Sequence, residues 1–271
     1  MKNHFPDEVI KQLCQKIKKF SPEEIYKFDF SNEIIIELNN ILGEVALTLE
    51  SLEKTPYERT CAVRALLEDA KWWADRGQVE KLARWIATSW GRVDRKASDN
   101  SKLNALIDRV NSNNFDMERI ATWSKYIAFR YPKERAIFDA RTVFSLNWFI
   151  YESGGQKFFP FLAGENTLLS ALDYQLWLAT KVLGSDSIRA SLKNEIDDNF
   201  KKSRTVSQSV KKITIDQSYA YEIYCDLLKC IANEIYPSDA WGLTKVEMIL
   251  FSIASTSVAL SVYTTMIANH N

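Results

Sequence analysis

The sequence predicts a compact, two-lobed, all-α protein with little or no β-structure. Three observations predict it: only eight Gly and six Pro punctuate 271 residues, apolar residues recur at helical spacing along most of the chain, and 46% apolar with 12% aromatic residues can fill a large core. A sandwich or barrel needs far more turns than so few Gly and Pro supply.

Pro6-Asp7 opens a segment with Val9, Ile10, Leu13, Ile17 and Phe20 on one helical face, and Ser21-Pro22-Glu23-Glu24 has the order of a second helix start. Residues 32–52 form a longer apolar-periodic run. Residues 57–73 and 78–90 continue the pattern, with Gly77 between them at the position expected of a helix end. Residues 93–104, polar and rich in turn formers, read as an exposed linker, and Glu152-Ser153-Gly154-Gly155 reads as another break. A helix is expected over about residues 167–183, then a long loop or short hairpin over the basic, β-branched stretch 201–218. Helices over 219–236 and 243–268 end the chain. The expected division is an N-terminal helical segment (1–60), a helical core carrying the site (61–200), and C-terminal helices packing on that core (201–271).

Lys+Arg and Asp+Glu are equal at 35 each, so no global positive field draws the chain to nucleic acid. Three local stretches are nonetheless basic: residues 71–97 hold seven basic and three acidic side chains, and residues 118–145 and 191–215 each hold six and three. Cys14, Cys61, Cys225 and Cys230 lack paired-ligand spacing, and the two histidines, His4 and His270, sit at the chain ends, so neither a metal nor a cofactor is expected. The opening MKNHFPDEVIKQ has no export pattern, and a cytoplasmic location is expected. Residues 248–268 are an uncharged run of 21, long enough to span a bilayer. Seven Ser or Thr dilute that run and no Lys/Arg cluster flanks it, so a helix buried in the protein, with no membrane partner, is expected.

The chemistry concentrates in FDMERIATWSKYIAFRYPKERAIFDARTVFSLNWF, residues 115–149. Asp116 is placed to cap a helix containing Met117, Ile120 and Ala121; a second short helix holds Lys125, Ile127, Ala128 and Phe129 until Pro132 stops it. Ala136-Ile137-Phe138 then approaches in extended form, and Asp139 stands at the cap of a helix carrying Val143, Phe144 and Trp148. An amine that attacks a sugar carbon must be neutral, and Trp123, Tyr126 and Phe129 offer Lys125 the burial that depresses a lysine pKa. A carboxylate at a helix N-terminus stays ionised, which suits Asp139 to steady positive charge on a sugar.

The same passage resembles the helix-hairpin-helix superfamily of DNA glycosylases, within it the 8-oxoguanine-glycosylase-fold branch. There a hairpin L-P-G-x-G-x-K precedes an extended stretch ending in D-x-H or D-x-R-V. TWSK puts Lys125 in the place of the Schiff-base lysine, and IFDARTV puts Asp139 in the place of the catalytic aspartate, with Arg141 two residues on. Trp90-Gly91-Arg92 and the stretch WGLTKVEMILF resemble flanking landmarks. The resemblance covers about residues 70–150 and 219–251 and leaves out the first 60. It departs from the family pattern where Ala121 and Trp123 replace the hairpin glycines, and the Lys125-to-Asp139 interval is a short 14 residues.

The resemblance implies a DNA glycosylase with AP-lyase activity that flips a damaged or modified base out of double-stranded DNA, forms an imine on Lys125 with help from Asp139, and cuts the strand by β-elimination. It also implies DNA contacts from Thr122, Ser124, Arg141, Arg92, Arg95 and Lys96. Trp72, Trp73, Trp90, Trp123 and Trp148 are the candidates for a base pocket, with Trp90, Trp123 and Trp72 first among them. The alternative is a non-catalytic helical module of the same fold that binds DNA or another protein.

Overall fold

The computed structural model describes residues 4–43, 54–92, 100–112, 117–162, 174–184 and 208–268. Helix starts carry the signals that the sequence places there. Helix α1 (Asp7–Ile17) follows Pro6, has Asp7 and Glu8 at the positive end of its dipole, and buries Val9, Ile10, Leu13 and Ile17. The single turn α2 (Pro22–Ile25) opens on proline, and α3 (Asn32–Leu42) ends on Gly43 in the left-handed region, φ 73°. Residues 44–52 of the longer expected run, like Asp116, Arg95 and Lys96, lie outside the described residues. Helix α4 (Pro56–Leu67) starts on a Thr55/Glu58 capping box. It does not continue to Trp73; a 3-10 turn, Ala70–Trp73, folds back so that the Trp72 and Trp73 indoles donate to the Leu66 and Leu67 carbonyls.

Gly77 does not end a helix. It lies in the first turn of α5 (Arg76–Arg84), which Asp75 caps through the Gln78 N–H. That helix runs on into a π-helical turn, Trp85–Trp90. The expected linker 93–104 is helical from residue 100, where α6 (Asn100–Asn111) begins. It packs on α7 (Ile120–Arg130), a single helix with Lys125 in its middle rather than two short ones meeting there. Helix α8 (Ala140–Glu152) stops at the expected break, with Gly154 at φ 78°.

Beyond it come α9 (Tyr174–Leu183), α10 (Gln208–Ile213), α11 (Ala220–Ile235), α12 (Gly242–Ile253), a π-helical turn at Ala254–Val258, and α13 (Ala259–Ala268). The stretch expected to be a loop or hairpin is thus helical at Gln208–Ile213 and then forms one isolated bridge, Thr214 with Phe158, the only β-pairing among the described residues. The fold is all-α.

Helix α12 lies at the centre, packed against α1, α2, α8 and α11. Ser145 ties α8 to it by donating to the Leu250 carbonyl at 2.7 Å. The continuous helical stretch Gly242–Met266 is long and apolar enough to cross a membrane by length and composition. Its Val246, Ile249, Leu250, Ile253, Val258 and Val262 are buried among side chains from α1, α7, α8 and α11 in one continuous core. The N-terminal and C-terminal halves therefore share a single apolar interior.

Candidate active site

The site is built on the extended Ala136–Phe138 segment between α7 and α8. An extended buried segment must find partners for every N–H and C=O, and here side chains supply them. Tyr221 donates to the Ala136 carbonyl at 3.1 Å and Tyr224 to the Ile137 carbonyl at 2.7 Å. Glu247 accepts the Ile137 N–H at 2.8 Å, and Ser124 accepts the Phe138 N–H at 3.0 Å. Glu247 is held by Arg64 of α4 in a two-pronged ion pair, and Arg64 also donates to Thr244 at 3.1 Å. The buried pair fixes the approach to Asp139, so the carboxylate enters α8 in one place.

Asp139 then caps α8, its Oδ1 accepting the N–H groups of Arg141 at 3.0 Å and Thr142 at 2.8 Å, while Thr142 returns a contact to the Asp139 N–H. Lys125 of α7 is only 9% exposed and interacts electrostatically with Asp139. Its Nζ donates to the Gly91 carbonyl at 3.3 Å. Gly91 is needed for this approach, because a Cβ there would lie 2.5 Å from the Ile86 carbonyl oxygen and 3.1 Å from the Lys125 Cδ. Burial depresses the Lys125 pKa below its ordinary 10.5; Asp139 and Glu247 oppose that shift and Arg141 adds to it.

Both groups line one cavity of about 840 Å³, together with Trp90, Arg92, Arg141 and the side chains of Phe28 and Phe251. Trp90 and Phe28 meet edge to face at 5.1 Å, and Phe28 and Phe251 do so at 5.8 Å. The buried Trp90 indole N–H has no acceptor among the described residues. Arg92, at the rim, holds a left-handed backbone, φ 49°, which is uncommon for a side-chain-bearing residue.

The structure thus brings Lys125, Asp139, Arg141, Trp90 and Arg92 together and leaves six other expected site residues off the cavity, Trp73 and Trp148 among them. Trp123 is fully buried, packed edge to face on Tyr221 at 4.6 Å, and does not line the cavity. Trp72 is likewise removed from it by the hydrogen bond of its indole to Leu66. The side chains of Thr122 and Ser124 are buried and do not line the cavity; the Ser124 hydroxyl accepts the Phe138 N–H and so positions the segment that leads to Asp139. Sequence reasoning missed Phe28, Glu247 and Phe251. A carboxylate in the apolar run Val246-Glu247-Met248-Ile249-Leu250 was a usable signal for Glu247, since a charge on a buried helix face requires a partner. Phe28 carried none.

The site makes the Lys125 amine sensitive to its charged neighbours. The rate at which formaldehyde and cyanoborohydride methylate Lys125 is expected to rise with pH and to level off below the pH at which a free lysine would. Asp139→Asn is expected to move that rise to lower pH and Arg141→Met to higher pH. Peptide mass mapping across a pH series reads this directly, and shifts of both variants in one direction would contradict the charge arrangement.

Among the described residues no cluster of His, Cys, Asp or Glu has the form of a metal site. Comparison with known protein families, with curated proteins and with solved structures finds no match for the chain.

Proposed function

We propose that the chain is a DNA glycosylase with AP-lyase activity, acting on double-stranded DNA that carries a damaged or modified base. The observation that carries this reading is the placement of a buried, pKa-depressed lysine and a backbone-capped carboxylate in one aromatic-walled cavity. Such chemistry needs a neutral amine, a fixed negative charge, and a recess for an everted nucleoside.

In this reaction the lone pair of the Lys125 Nζ forms a bond to C1′ as the glycosidic bond breaks. The base leaves with the bonding electrons and takes up a proton. The Asp139 carboxylate supplies the negative charge that steadies the positive sugar appearing during this step. The sugar ring opens to an imine between Nζ and C1′; loss of a C2′ proton then expels the 3′ phosphate and cuts the strand. Water hydrolyses the imine and returns the amine.

Duplexes each carrying one modified base, and one carrying an abasic site, test the reading by strand cleavage on a denaturing gel. The expected result is cleavage of the abasic duplex and of at least one modified duplex. Asp139→Asn is expected to slow base release by about 10²–10³-fold, the usual effect of removing one preorganised electrostatic contact. An intact abasic strand with wild-type protein would overturn the reading.

A further inference from the structure

Two ring and guanidinium pairs inside the cavity bear on which bases it admits. The Arg141 guanidinium lies over the Phe251 ring, 4.8 Å from its centroid, and that of Arg92 over the Phe28 ring at 5.7 Å. Both rings line the cavity. The carboxylates that also line it are already engaged: Asp29 pairs with Arg59 at 3.0 Å, Glu247 with Arg64, and Asp139 with the backbone N–H groups of α8. Arg92 makes its hydrogen bond to the Asp29 backbone carbonyl, and neither Arg92 nor Arg141 has a carboxylate within ion-pair reach among the described residues.

An aromatic recess captures a cationic ligand by offering it open ring faces. Here permanent cations already hold ring faces, because arginine keeps its charge at any working pH. We propose that Arg92 and Arg141 make this cavity selective for uncharged bases and close it to bases that carry a formal positive charge from ring alkylation. The proposal rests on the glycosylase reading of the same site. An uncharged base stacks on a planar guanidinium as readily as on a ring. A cationic base brought against the same groups meets like charge, which a partly desolvated site screens poorly.

Two uncleavable duplexes test this. One carries 7-methylguanine on a 2′-fluoroarabino sugar, which is cationic; the other carries 7-methyl-7-deazaguanine on the same sugar, its uncharged counterpart. Competition against a labelled abasic-analogue duplex, read by fluorescence anisotropy, gives the ratio of the two affinities. The uncharged duplex is expected to bind at least about tenfold more tightly, and the ratio to shrink in both Arg92→Met and Arg141→Met. Equal or tighter binding of the cationic duplex by the wild type would overturn the proposal, as would a ratio that neither variant changes or a failure to prefer either duplex over an unmodified one. Borohydride capture of an abasic duplex contains no base, so it tests the lyase reading apart from this selectivity.

Discussion

Lys125→Met is expected to reduce strand cleavage and borohydride capture to background while leaving a well-folded chain. Methionine keeps the length and apolar stem of the side chain, so the packing around α7 survives and only the amine is lost. The stability effect has a defined sign. Burial sets the folded-state pKa of Lys125 below its unfolded value, so the unfolded chain binds this proton more tightly and the folded state is penalised at neutral pH. That penalty fades as pH rises from the folded-state pKa toward 10.5. Lys125→Met should therefore match or exceed the wild-type urea midpoint at pH 7, with a smaller advantage near pH 10. A variant that loses activity only because it unfolds would show the opposite, and residual capture at the wild-type level would remove Lys125 from the chemistry.

The second large effect belongs to the buried ion pair between α4 and α12. Arg64→Met strands Glu247, 4% exposed, without its main counter-charge and is expected to cost about 3–5 kcal/mol of folding free energy by urea titration. Removing both charges in Arg64→Met/Glu247→Leu restores much of this, because no buried ion then lacks a partner. Recovery stays incomplete: the Ile137 N–H has lost its acceptor, a loss of about 1–3 kcal/mol when such a group is left buried and unpaired. A loss below about 1 kcal/mol in Arg64→Met would show that the ion pair does not anchor the segment before Asp139.

The sequence reveals local chemistry in this chain far better than tertiary choice. Caps were legible where they are written in adjacent residues: Asp139 ahead of α8 and Gly154 after it. Gly77 misled because Asp75 caps the following helix two residues earlier, which places the glycine inside the first turn instead of beyond an end. Helix α7 runs unbroken through Lys125, which is buried with its apolar neighbours, where two short helices meeting there were expected.

At the site, Lys125 and Asp139 could be paired in advance from residue type and order, and Trp90 and Arg92 from their place in one short motif. The aromatic wall could not. Phe28 comes from the irregular segment after α2 and Phe251 from α12, so only folding brings them to the same cavity. Trp123 and Trp72 were attractive for their size, yet both indole N–H groups find backbone carbonyls in the interior, and buried tryptophans commonly satisfy themselves in this way.

Lyase chemistry at this site requires the Lys125 amine to form a bond to a sugar carbon. Borohydride reduction of the wild-type protein with an abasic duplex, followed by nuclease trimming and peptide mass mapping, locates that bond. A deoxyribose-derived mass is expected on Lys125 and on no other lysine. An adduct on a different residue, or unmodified peptide at Lys125 after exhaustive reduction, would contradict that chemistry.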